Sequence, residues 1–218
     1  MMNNNILFLA ISFIYICLLV LIGFILYRYT KIGSESVRKF IHILTSNWIF
    51  LVYYGMDDPF CMLLGPFCFI IINAVFVYGG FGKYLGMGDR KRDNGLIYYP
   101  ISILVLVGAS LLGWINRCNV IVGILIMGWG DGMAALVGTL FGRHGYKVFS
   151  RYKKSVEGTL TMFVVSLLVI LLFSSVPWYW AVVVAVLASI LENFTPLGID
   201  NLTVPIISAF ALEAICHL

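Results

Sequence analysis

Residues 128–159 read GWGDGMAALVGTLFGRHGYKVFSRYKKSVEGT, and this stretch decides how the rest of the chain is understood. Asp131 lies between two glycines inside an otherwise apolar run, and a basic segment then closes in Lys153, Lys154, Ser155, Glu157 and Gly158. A carboxylate at the centre of a membrane span costs roughly 2.5–3.5 kcal/mol on insertion scales, so it normally has a partner or a task.

Composition places the run in a membrane. Of 218 residues 61% are hydrophobic and 11% charged, an excess of apolar surface that calls for lipid as solvent. The expected fold class is all-α: a polytopic transmembrane helix bundle forming one integral membrane domain over residues 1–218. Apolar runs of spanning or near-spanning length lie at about residues 6–27, 40–54, 60–78, 96–114, 120–141, 159–173, 178–191 and 202–215. Several are short, so seven to eight spans are expected, one of them re-entrant or broken in the lower count. The first run is preceded by no basic residue and followed by no small-residue cleavage site, and is expected to remain as a helix.

Basic residues set the orientation. With the N-terminus outside, every Lys and Arg except Arg117 falls on the cytoplasmic side: Arg28, Lys31, Arg38 and Lys39 after the first run, Lys83 and Arg90 to Arg92 after the third, and Arg143 to Lys154 after the fifth. The net charge of +4 is thus confined to short loops, where membrane lipid headgroups or phosphorylated substrates are the natural partners and no nucleic acid is expected. Arg90, Lys91 and Arg92 read as a headgroup-binding run. The five cysteines are scattered among apolar residues without metal-ligand spacing and read as small apolar side chains.

The remaining ionisable residues gather toward one end of the bundle. Arg38, His42 and Thr45 share a helix face by their spacing, as do Asp131, Ala135, Gly138 and Gly142, whose small residues allow close approach to the carboxylate. Lys154, Ser155, Glu157 and Gly158 open the sixth run; Glu192 closes the seventh; Asp200 and Asn201 open the eighth after a turn containing Pro196 and Gly198. Carboxylates that hold a hard cation, cations that neutralise phosphate, and a helix start rich in N–H donors together suit polyphosphate chemistry. Read for packing alone, Asp131 would pair with Arg38 or Lys154, and His42 would be a hydrogen-bonded interfacial histidine.

At these positions the chain resembles a family. RKFIH (residues 38–42), GDGMAALVG (130–138), KSVEGT (154–159) and GIDNLTVP (198–205) are similar, in the same order, to the polytopic CTP-dependent lipid-alcohol kinases: dolichol kinase, phytol kinase and the yeast-type diacylglycerol kinase, which are related to the phosphatidate cytidylyltransferases. The resemblance implies a catalytic region over residues 38–205 and a transfer of phosphate from CTP, with Mg²⁺, to the hydroxyl of a phytol, polyprenol or diacylglycerol at the cytoplasmic face. By the same resemblance Asp131 is the key metal-binding carboxylate and Lys154 a phosphate contact. Glu157 and Gly158 belong to the nucleotide site, and Asp200 with Asn201 forms a second metal or phosphate anchor. Arg38, Lys39 and Ser155 complete the expected nucleotide contacts, and His42 or a carboxylate would orient or deprotonate the alcohol. Family members often carry a further polar residue after GDG, where this chain has Ala134, Ala135 and Leu136, so Glu192 or Asp200 has to supply the second carboxylate. The extra N-terminal spans of larger dolichol kinases are missing, which points to the compact phytol-kinase-like branch. A cytidylyltransferase needs the same groups and is the alternative; an ion-coupled transporter using Asp131 and Glu192 is a third reading, disfavoured because no internal repeat is visible.

Overall fold

The computed structural model describes residues 2–81, 93–148, 152–195 and 197–218; Lys83, Arg90, Lys91, Arg92, Arg151 and Pro196 lie outside them. Helix α1 spans Met2–Tyr29, α2 Ser34–Ser46, α3 Trp48–Gly55, α4 Pro59–Tyr78 and α5 Gly95–Leu111. Helix α6, Arg117–Leu125, continues through a π-helical turn, Ile126–Asp131, into α7, Gly132–Phe141. Then come strands β1, Gly145–Val148, and β2, Tyr152–Ser155, followed by α8, Val156–Phe173, α9, Trp178–Phe194, and α10, Asp200–Cys216.

Among the described residues, four helical stretches are long and apolar enough to cross a membrane: Asn4–Tyr29, Pro59–Tyr78, Arg117–Phe141 and Val156–Phe173. Gly95–Leu111 and Trp178–Phe194 are apolar but shorter. The expected second run is broken where α2 gives way to α3 at Asn47, whose side chain accepts a hydrogen bond of 3.0 Å from Trp129 Nε1. One local element escaped the helical reading: β1 and β2 form an antiparallel hairpin in register Gly145↔Ser155 to Val148↔Tyr152, within what reads in sequence as a plain hydrophilic loop. Ser155 ends β2 and caps α8, its hydroxyl accepting from Gly158 N at 3.1 Å, so the hairpin delivers the chain directly into a capped helix start.

The Arg117–Phe141 stretch is the axis of the bundle. Its apolar window is 72% buried, against 17% for the Asn4–Tyr29 window, which lies at the periphery. Buried side chains of α6 and the π turn, Ile124, Leu125, Ile126 and Met127 among them, join Met162 of α8, Ala185 of α9 and Val204 of α10 in one apolar core. The π turn widens the helix by one residue just before Asp131, and such turns are commonly found at functional positions.

Helix α2 crosses this axis where side chains are missing. A Cβ placed on Gly128 would lie 2.1 Å from Ser46 Cβ, and one on Gly132 would lie 2.2 Å from Ile43 Cγ1. The GxxxG spacing thus marks a real close contact, one that brings the basic start of α2 over the carboxylate of Asp131. At the opposite end the contacts are purely structural: Asn5 Oδ1 accepts from Asp57 N at 2.8 Å, and Glu213 Oε2 accepts from Asn116 N and Asn119 Nδ2, both at 2.8 Å.

Overpacking a close crossing costs about 1–3 kcal/mol, or more when backbone is involved. Gly132→Val is therefore expected to lower the thermal unfolding temperature of the detergent-purified protein by several degrees. Gly108→Ala, at a position with open space around the new methyl, should leave it unchanged or slightly raised.

Candidate active site

The polar end of the bundle is built from four starts and ends of helices around the middle of the axis. Asp131 stands at the end of the π turn and is 3% exposed; Lys39, one turn into α2, is 8% exposed, and its ammonium donates to Asp131 Oδ2. A second pair lies nearby: Lys154 Nζ donates to Glu192 Oε1 and also reaches the Glu192 carbonyl oxygen at 3.3 Å. Glu192 is 5% exposed. Taking two such charges out of water is repaid only when each is held by its partner and by further hydrogen bonds.

Both pairs face a cavity of about 600 Å³, whose wall also includes Arg38, Ser155, Gly158, Asp200 and Asn201. The small face of α7 makes room for it. A Cβ on Gly138 would lie 2.9 Å from Ser155 Oγ, and one on Gly158 would lie 2.9 Å from the Ala134 carbonyl, so the capped N-terminus of α8 seats directly on α7. That terminus carries the positive end of the helix dipole, which favours an anion in the cavity. Across from it, Leu197 and Gly198 both adopt positive φ, 65° and 82°, and this tight turn swings Asp200 and Asn201 inward. Asp200 Oδ1 accepts from Asn201 N at 3.0 Å, which fixes the carboxylate over the helix start.

The electrostatics favour charged groups at this depth. Burial pulls the Lys154 ammonium toward the neutral form, but the carboxylates of Glu192, Asp131 and Asp200 together outweigh it, so its pKa is raised and it stays cationic. Arg38 is steadied by Glu35, a neighbour absent from the sequence reading, at 2.7 Å.

The structure brings together most of the residues singled out in the sequence: Asp131, Glu192 and Asp200 as acids; Arg38, Lys39 and Lys154 as cations; Ser155, Gly158 and Asn201 as polar or backbone groups. Two sit elsewhere. Glu157 points away and closes the turn before β1, accepting from Arg143 N at 3.1 Å and lying 2.8 Å from His144 Nδ1. His42 lines a separate, mainly apolar slot beneath Arg38, its ring tilted by 50° against that of Tyr99 with centroids 4.4 Å apart. The partner of Asp131 is Lys39, whereas packing logic favoured Arg38 or Lys154. Asn193 was missed; together with Thr159, the last residue of the KSVEGT motif, it meets Tyr146 of the hairpin, whose hydroxyl lies 2.5 Å from each. Asn193 stands one residue beyond Glu192, but only the β1 fold-back supplies its partner.

Among the described residues no group of three or more His, Cys, Asp or Glu side chains is gathered closely enough to cage a metal by itself. Asp131 and Glu192 each hold a lysine, and Asp200 faces the same cavity. This arrangement fits Mg²⁺ bound in company with phosphate oxygens, since that ion commonly takes only one or two carboxylates and completes its shell from substrate and water.

Removing one member of a buried pair leaves an uncompensated charge at a cost of about 3–5 kcal/mol. Lys39→Met is expected to lower the unfolding free energy by that order, and Lys39→Met combined with Asp131→Leu should recover much of the loss. Denaturant titration in mixed micelles, followed by tryptophan fluorescence, checks the pattern.

No family model matches the chain, and no solved structure does. Among curated proteins it is similar to the phytol kinase of Synechocystis sp., with 35% identity over 213 residues, covering 94% of this chain and 89% of that protein. An identity of that level over most of both chains shows that the chain belongs to the polyprenol/phytol kinase family.

Proposed function

We propose that the protein is a CTP-dependent kinase that phosphorylates the hydroxyl of a membrane lipid alcohol, a phytol, a polyprenol such as dolichol, or a diacylglycerol. The observation that carries the reading is the joint cavity of Asp131, Asp200, Lys39 and Lys154 beside the capped start of α8, in a chain related over its length to a phytol kinase. The bundle is read as multi-pass, with seven to eight spans, its N-terminus outside and the cavity at the cytoplasmic face, in keeping with the placement of its basic residues.

Arg38, Lys39 and Lys154 line the cavity as cations and hold the nucleotide phosphates, with the N–H groups around Ser155 and Gly158 adding hydrogen bonds. Asn201 orients an outer phosphate oxygen. Asp131 and Asp200, with Glu192 near them, are the groups that hold magnesium, whose contribution when bound is to neutralise charge on the transferring phosphoryl group. Lys39 and Lys154 are released from their carboxylates as phosphate replaces them, so buried charge stays paired throughout. The alcohol oxygen attacks the terminal phosphorus, the bond to the bridging oxygen breaks, CDP leaves, and the hydroxyl proton passes to His42 Nε2. That nitrogen is buried and has no hydrogen-bond partner among the described residues, which leaves it able to accept. Glu157 supports the nucleotide site indirectly, by holding the turn between α7 and β1.

Purified protein given Mg²⁺, labelled CTP and a panel of lipid alcohols is expected to yield lipid monophosphate and CDP, with ATP, GTP and UTP as competing donors to rank. Asp131→Asn should reduce kcat by about 100-fold or more, as loss of a charge-stabilising group does. Lys154→Ala should raise the KM for nucleotide. Full activity in the Asp131 variant would refute its role, and release of pyrophosphate with a CDP-lipid would mark a cytidylyltransferase.

A further inference from the structure

An open apolar groove of about 500 Å³ runs between α8 and α9, with Leu160 and Phe163 on one wall and Val186 and Ile190 on the other. Leu160, Val186 and Ile190 are exposed, as the lipid-facing side chains of apolar helices are. At one end Tyr146 and Val148 of β1 roof the groove, and there Val148, Thr159 and Asn193 line both it and the phosphate cavity. Thr159 lies in the first turn of α8 and Asn193 in the last turn of α9, so this junction is level with the helix ends. Val186 lies about 10 Å further along the groove, at the rise of a helix.

Tyr146, Thr159 and Asn193 close the junction. The Tyr146 hydroxyl donates to Asn193 Oδ1 at 2.5 Å; its single proton is thereby used, and the Thr159 hydroxyl, 2.5 Å away, is the donor to it. Asn193 Nδ2 donates in turn to Thr159 Oγ1 at 3.3 Å and to the Ser189 carbonyl at 2.8 Å, the second bond fixing which end of the amide is which. Each member thus gives one bond and takes one, in a closed ring that carries no charge. Ser189, further along the groove, turns its hydroxyl back to the Ala185 carbonyl at 2.9 Å, so the ring is where the groove becomes polar.

We infer that this ring is the docking point of the acceptor's hydroxyl, and that the groove is the doorway by which the lipid alcohol leaves the bilayer for the phosphate cavity. The inference rests on the lipid-alcohol kinase reading and gives that reaction three positioning residues, Tyr146, Thr159 and Asn193. An amphiphile in a membrane keeps its hydroxyl level with the helix ends and its hydrocarbon alongside the helices, which is how ring and groove are disposed. A hydroxyl both donates and accepts, so it enters such a ring as a fourth member, breaking one bond and forming two. Having no charge, the ring offers little to a free phosphate or a cation, whose partners lie in the next cavity. From the ring the hydroxyl crosses into that cavity, whose wall of Arg38 and Lys39 also bounds the slot of His42. The slot, of about 210 Å³, is the competing berth and has less than half the volume of the groove.

The test uses the full chain in nanodiscs and a phytol carrying a diazirine on its tail. Irradiated without nucleotide, the probe should label peptides of α8 and α9, and phytol should displace it at a mole fraction about tenfold lower than phytane, the same chain without its hydroxyl, as loss of neutral hydrogen bonds predicts. Tyr146→Phe, which opens the ring and keeps the aromatic roof, should erase that difference and raise the KM for phytol about tenfold, leaving the KM for CTP as it was. Thr159→Val should act in the same way, and Thr159→Ser, which restores the hydroxyl, should recover the KM. Labelling absent from α8 and α9, equal displacement by phytol and phytane, or a Tyr146→Phe loss that falls on kcat alone would overturn the assignment while leaving the kinase intact. A chain that phosphorylates no lipid alcohol would overturn it together with the reading on which it rests.

Discussion

The ion pair between Lys39 and Asp131 joins residues 92 positions apart in the chain, at a depth where neither charge could be kept alone. Its geometry depends on a run of local features. Gly128 and Gly132 let α2 lie against the axis, the π turn aims Asp131 toward it, and Asn47 bends the chain so that α2 need not continue as one straight span. Remove any of these and the lysine would face lipid or the aspartate would face apolar core. The Lys154–Glu192 pair repeats the device between the hairpin and α9, so two cations are stored beside two carboxylates in one cavity.

Storage of this kind suits a site that has to receive a highly charged molecule. An empty nest of carboxylates would repel itself and an empty nest of lysines would do the same; paired, they cost less to bury and can exchange partners when a phosphate group arrives. The capped start of α8 and the turn at Leu197 and Gly198 add fixed donors on either side. An apolar slot lies on the other side of Arg38, Lys39 and Asn201, which line it as well as the polar cavity.

The site was legible from its residue types far more than from their contacts. An acid among apolar residues is conspicuous because of what it costs, so Asp131 and Glu192 announced themselves, and glycines spaced by four announced a close crossing. Which cation meets which acid was not legible. Arg38 and Lys39 are neighbours that point about 100° apart on a helix, and the choice between them follows from the angle at which α2 crosses the axis. Glu157 shows the converse: placed within a motif, it turns outward because a two-stranded hairpin, formed by residues that read as loop, presents Arg143 and His144 to it.

By itself the sequence determined that this protein is helical and made for a membrane, and that its charged and polar residues are concentrated in a few helix ends, because composition, periodicity and the expense of buried charge are properties of the chain alone. Only the tertiary structure decided the pairing of Lys39 with Asp131, the removal of His42 from the phosphate cavity to the apolar slot, and the existence of that slot. Those depend on crossing angles, on a π turn and on the packing of side chains from distant helices, where a rotation by a single residue exchanges a partner for a wall.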